Sequence, residues 1–184
     1  NYLNANLALA KLGGFSRIRL SGWLRATKGD VQTAFKLVPD LKYLNLSIST
    51  SDQMIVHKFQ GKLDHQSVIQ EMQEAVSQAK KLGVAGIGVN AEDASRTNLE
   101  YLIEFALKAK EAGADRIRYC DTLGTDTPFS IYERIELLAR QVQLPIEVHC
   151  HNDLGLVVAN SIAGAKAASD AGVDSYINTC VNGM

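Results

Sequence analysis

Short apolar-rich runs alternate with longer stretches in which apolar residues recur at steps of three and four, and the alternation persists along the whole chain. The short runs predict strands at roughly 16–23, 42–49, 84–90, 115–121, 145–151 and 174–181. Between them, Val68, Ile69, Met72, Val76, Ala79 and Leu82 share one helical face, as do Leu99, Leu102, Ile103, Ala106 and Ala109. Each stripe is expected to be core. Lys80, Lys81, Lys108, Lys110 and Glu111 are expected on solvated faces. Thr97-x-x-Glu100 and Ser130-x-x-Glu133 read as capping boxes that open helices, the second with Pro128 near its entry.

The pattern is a repeat. Gly83, Gly113 and Gly172 each follow a helical stripe and precede a strand, as expected of a helix C′ residue, and Pro145 takes over that punctuation in the unit between. A regular β/α unit of this size implies a parallel sheet with right-handed crossovers. The polar clusters fall at strand C-terminal ends: Asn90 and Glu92, Asp121 and Thr122, His149 to Asp153, Asn178 and Asn182. Clusters on successive strands favour a TIM (β/α)8 barrel, whereas a doubly wound sheet gathers its ligands at one switch point.

Composition agrees with one α/β domain over 1–184. The 184 residues are 46% hydrophobic, enough for a sizeable core. With 19 basic and 20 acidic side chains, a net charge of -1 and no charged run, no footprint for nucleic acid or a membrane surface is expected. No apolar stretch approaches a transmembrane length and no signal-peptide pattern opens the chain, so a cytoplasmic location is expected. Cys120, Cys150 and Cys180 are too few and scattered for a disulfide framework, and are expected to act as small apolar strand residues. The chain opens on Asn1 rather than Met.

The chemistry concentrates in His149-Cys150-His151-Asn152-Asp153-Leu154-Gly155, followed by Ala159 and Asn160. On a strand, His149 and His151 share a face and can converge on one divalent metal ion. A bare His-x-His is weak evidence, since two polar side chains at a strand end also serve ordinary hydrogen bonds.

The continuation His-x-His-Asn-Asp-x-Gly-x-x-x-Ala-Asn resembles the seventh-strand signature of the metal-dependent Claisen enzymes: homocitrate synthase, isopropylmalate synthase and hydroxymethylglutaryl-CoA (HMG-CoA) lyase. Asn90-Ala91-Glu92-Asp93-Ala94-Ser95-Arg96 resembles the fifth-strand motif of homocitrate synthases, especially the nitrogen-fixation type. Arg118-Tyr119-Cys120-Asp121-Thr122-Leu123-Gly124 resembles the group's sixth-strand motif.

The resemblance implies a partial TIM barrel covering strands three to eight, with residues 1–12 as the second helix and the first two strands and C-terminal region lacking. Its open edges invite a covering partner. The expectation is a portion of a longer polypeptide, a subunit completed by a further chain, or a self-associating form such as a homodimer. The implied reaction joins acetyl-CoA to a 2-oxo acid, here 2-oxoglutarate, to give homocitrate and CoA. Isopropylmalate or citramalate synthase, an HMG-CoA lyase-like carbon-carbon lyase and a non-catalytic barrel fragment stand as alternatives.

By the same resemblance, His149 and His151 hold a divalent metal, Zn, Mn or Mg. Thr122 donates its hydroxyl to the substrate carboxylate, against the plainer reading of a strand-end Thr bonding local backbone. Glu92 assists proton transfer. Asn90 stands where lysine-pathway homocitrate synthases carry a serine, and Gly88 where they carry a substrate-binding arginine. Arg96 and Arg25 are candidates for a substrate carboxylate or for structural ion pairs. Asp121 supports a metal ligand or closes a turn, and Asn152 and Asp153 hold the loop behind the histidines. His57 and His65 are expected at the surface.

Overall fold

The computed structural model describes residues 2–12 and 18–180. Six strands form one wholly parallel sheet in chain order: β1 (Ser21–Arg25), β2 (Tyr43–Ser49), β3 (Gly86–Glu92), β4 (Arg116–Asp121), β5 (Ile146–Cys150) and β6 (Ser175–Ile177). The helices are α1 (Tyr2–Leu12), α2 (Lys28–Leu37), the short α3 (Asp52–Lys58), α4 (His65–Lys81), α5 (Leu99–Ala112), α6 (Pro128–Val142) and α7 (Val157–Asp170). This is a TIM-barrel-like partial fold. All six expected strands are present within a few residues, and α1 lies where the family's second helix is expected. Residues 16, 17, 181 and 182 lie outside the described residues.

Alternation along each strand sorts the two faces. Leu44, Leu46, Ile48, Ile87, Val89, Ala91, Ile117, Tyr119, Ile146 and Val148 are buried against the helices. Both expected helical stripes join this core except Leu82, which is exposed: it is the C-cap of α4, where the helix has already turned away from the sheet. The opposite, inner face is polar. Asn45, Ser47, Ser49, Asn90, Arg118 and Glu147 are buried there in place of the branched apolar filling usual in barrels.

The repeat's punctuation is backbone geometry. Gly83, Gly113 and Gly172 follow their helices with positive φ. In the unit between, Gln143 takes that left-handed conformation at the C-cap of α6, so the helix stops before Pro145 is reached.

Two helix starts differ from expectation by one and three residues. Asn98, not Thr97, caps α5, its side chain accepting from Tyr101 N at 3.1 Å. Thr97 is instead buried, bonding the Asp93 carbonyl. Thr127, not Ser130, caps α6; the two exchange hydrogen bonds as a capping box, and Pro128 takes the first helical position, where its missing N–H costs nothing. Cys180 lies beyond β6 and is exposed, contrary to its expected strand position, whereas Cys120 and Cys150 are buried as expected.

Among the described residues, no helix is long and apolar enough to cross a membrane.

Candidate functional site

His149 and His151 leave the end of β5 side by side, with their Nε2 atoms 3.2 Å apart and ring planes near perpendicular. Two metal–nitrogen bonds of about 2.1 Å meeting near the tetrahedral angle would place their nitrogens roughly 3.2–3.5 Å apart. The spacing therefore fits a shared ion. Nδ1 of His149 lies 3.4 Å from the Asn178 carbonyl, which favours a proton on Nδ1 and a lone pair on Nε2. Burial holds the His149 pKa below the usual histidine value, opposed by that carbonyl and reinforced by His151 and Arg118 nearby. Both effects favour a neutral imidazole ready to act as a ligand. Among the described residues no group of three or more His, Cys, Asp or Glu side chains is placed to hold a metal.

The loop after β4 supports this pair. The Asp121 carbonyl accepts from His151 N at 3.2 Å, while its carboxylate takes the N–H groups of Thr125 and Asp126. Asp121 thus closes its own turn and reaches the histidine segment through its backbone. Burial raises its pKa. Gly124 completes the junction, with φ +60° and an added Cβ falling within 3.0 Å of His151 O and Asp153 N. Sequence reading had assigned it no role. Asn160 on α7 donates to the Asp126 carbonyl at 2.8 Å, tying that helix to the same loop. Asn152 accepts from Val157 N at the start of α7.

Glu92 ends β3 elsewhere on the rim. Its carboxylate accepts from Lys58 Nζ at 2.7 Å and Ser49 Oγ at 2.8 Å. Lys58 comes from α3, a helix absent from the sequence pattern. Glu92 lines a cavity of about 450 Å³ with Trp23, Arg25, Ser49 and Lys58. The histidines line another, about 440 Å³, with Val158, Ile162, Ile177 and Asn178. Glu92 and the histidines thus line two different cavities among the described residues.

Two further candidates, Thr122 and Arg96, are anchored to the β3–β4 junction. Thr122 Oγ1 accepts from Asp93 N at 2.9 Å, leaving its hydroxyl proton for another acceptor. Arg96 is committed through Nε and Nη2 to Asp93, itself wholly buried and bonded by Ser51. Arg25 pairs with Asp30 at 2.7 Å. His65, expected at the surface, is paired with Asp52 at 2.8 Å and stacked edge-on with Tyr101.

Beneath the rim, Glu147 on β5 accepts from Arg116 Nε and Arg118 Nη2, each at 2.6 Å. Arg116 also reaches Asn45 at 2.8 Å by passing over Gly88, where a Cβ would fall 2.5 Å from Asn45 Oδ1 and 3.0 Å from Arg116 Nε. The bare Gly88 is what lets this guanidinium cross the sheet. Asn90 is 1% exposed, and among the described residues neither of its amide atoms is partnered and buried Arg118 Nε has no acceptor. An unpaired buried polar group costs about 1–3 kcal/mol, so these atoms are suited to a polar partner.

The chain is 56% identical over its whole length to a citrate (Re)-synthase of Dehalococcoides mccartyi, covering 44% of that protein. It is 45% identical over 96% of its length to "2-isopropylmalate synthase 2" of Caldanaerobacter subterraneus, covering 43% of it. It is 34% identical over 99% of its length to "Homocitrate synthase 1" of a Nostoc species, covering 45% of it. The chain thus spans under half the length of these curated relatives. Among solved structures, the HMG-CoA lyase of Pseudomonas aeruginosa superposes with a TM-score of 0.71 at 13% identity, over 86% of this chain and 52% of that one, which is a likeness of fold alone. A family model described as HMGL-like matches residues 8–184, and the chain belongs to that family.

Proposed function

We propose that this chain is the larger part of the catalytic barrel of an acyltransferase that condenses acetyl-CoA with a 2-oxo acid. In that reaction the acetyl methyl carbon loses a proton and bonds to the keto carbon, and water then cleaves the thioester to release CoA. The observation that carries the reading is the 3.2 Å approach of the His149 and His151 Nε2 atoms at the C-terminal end of the sheet. The names of the relatives, three condensing synthases, support the same reaction class.

His149 and His151 would hold the divalent ion, Zn, Mn or Mg, which when bound supplies Lewis-acid polarisation of the keto group. Thr122 would donate its free hydroxyl proton to the substrate's 1-carboxylate. Arg96, with Nη1 outside its bonds to Asp93, is a second donor for that group. Glu92 would take the methyl proton, its carboxylate oriented by Lys58 and Ser49. Asn90 would meet the substrate from the inner face. Asp121, Asn152 and Asp153 would position the histidine strand and its loop. The finer acceptor is 2-oxoglutarate on the strength of the Asn90 to Arg96 motif, and oxaloacetate on the strength of the citrate (Re)-synthase relative.

CoA thiol release by the full-length protein tests this, with acetyl-CoA, a divalent metal, and oxaloacetate, 2-oxoglutarate, 2-oxoisovalerate or pyruvate offered singly. Release with at least one acid is expected, abolished by chelator. No release with any of them overturns the proposal.

A further inference from the structure

We propose that Arg118 and Asn90 form a carboxylate subsite on the inner face of the sheet, one side-chain layer beneath the histidines, which selects 2-oxo acids carrying a second carboxylate over those with an alkyl tail. The proposal rests on the acyltransferase reading and assigns its acceptor.

Placement comes from the sheet register. Ser47, Asn90, Arg118 and Glu147 are successive cross-strand partners on β2, β3, β4 and β5. Their strand neighbours Leu46, Val89, Ala91, Tyr119 and Val148 are buried on the helix side, so this row faces inward. The next row towards the rim holds Ser49 beside Glu92 and Cys120 beside His149. Two residues along a strand rise roughly 6.6 Å. A four- or five-carbon diacid, with its keto group at the histidines, would extend its far carboxylate towards Asn90 and Arg118.

The charge and hydrogen-bond inventory points to an anion. Two guanidiniums share one carboxylate, that of Glu147. Arg116 is spent, because its remaining contacts go to Asn45 and the face of Tyr176. Arg118 gives one nitrogen to Glu147 and keeps Nε buried without an acceptor, and Asn90 beside it is buried with its whole amide unpartnered among the described residues. A guanidinium edge and an amide N–H suit a carboxylate. An alkyl tail would leave both donors unmatched, and a site built for polar contact discriminates strongly against such a substrate.

The test measures kcat/KM in the full-length, metal-loaded protein for oxaloacetate, 2-oxoglutarate and 2-oxoisovalerate. The wild type is expected to favour a diacid by roughly 100-fold or more, and Arg118→Gln to lower the diacid to 2-oxoisovalerate ratio by about as much, mainly through KM. A wild type that favours 2-oxoisovalerate, or a folded Arg118→Gln protein with an unchanged ratio, overturns the subsite. Should Arg118→Gln fail to fold, Asn90→Asp decides: its carboxylate pairs Arg118 internally, so the ratio is expected to fall, and an unchanged ratio overturns the subsite.

If no acid releases thiol, the acyltransferase reading fails, and the subsite is judged by calorimetric titration with succinate against isobutyrate. Selective succinate binding, weakened at least tenfold in Asn90→Asp, would uphold it; equal or absent binding would overturn it.

Discussion

The Asn178 carbonyl lies 3.4 Å from Nδ1 of His149, while the other ring nitrogen faces His151 at 3.2 Å. Loss of a partner that merely orients a metal-bound histidine typically costs about 10–100-fold in affinity, so loss of the ligand itself should cost more. His149→Ala is therefore expected to abolish stoichiometric metal retention after gel filtration, measured by elemental analysis. Retention of one ion per chain would remove the histidine pair from the site.

Acid sensitivity should follow from the same residue. Burial lowers the His149 pKa below its ordinary 6.5, so between the folded value and 6.5 the unfolded chain binds the extra proton. Stability then rises with pH across that window and is lost as the pH falls through it. With chelator present, thermal melts at stepped pH should show a decline below about pH 6.5 that is shallower in His149→Asn.

Gly124→Ala should loosen the junction between the two rim loops. The left-handed backbone costs a side chain about 1–2 kcal/mol, and the clash with His151 O and Asp153 N adds about 1–3 kcal/mol. Thermal unfolding should report the loss. Because the clash falls on the histidine loop, weaker metal binding is expected as well.

Thiol labelling offers a further check on the inner architecture. Burial pushes the Cys120 and Cys150 thiols up to about 12, and Cys180 is exposed. At pH 8, iodoacetamide should modify Cys180 in the native protein and reach Cys120 and Cys150 only after denaturation, as read by peptide mass spectrometry.

The strands and long helices were legible because burial on one side imposes a period that the sequence carries, as in Val68 to Ala79 and Leu99 to Ala109. The errors fall where local rules compete. Thr97 and Ser130 satisfy a capping pattern, yet Asn98 and Thr127 are better placed by one and three residues, and Thr97 serves the loop behind it. The helix α3 is seven residues long with one buried side chain, too short to show a period. Its Lys58 nevertheless bonds Glu92 across 34 residues.

The histidine pair was legible because the two residues stand two apart at the end of one strand. The Arg116–Glu147–Arg118 cluster was not, because it depends on a register between strands about 30 residues apart and on a glycine, Gly88, whose meaning is the space it leaves.

The strand order carries a consequence for how the molecule is made. Every strand from β2 to β6 pairs with the one translated just before it, so among the described residues each pairing joins neighbouring units of the chain. Loop-closure entropy is met one neighbouring unit at a time, and the sheet can grow on the ribosome by successive hairpin-free units. The rim loops, which join neighbouring units, form in the same succession, with the histidine strand set against the turn of Asp121 only after that turn has emerged.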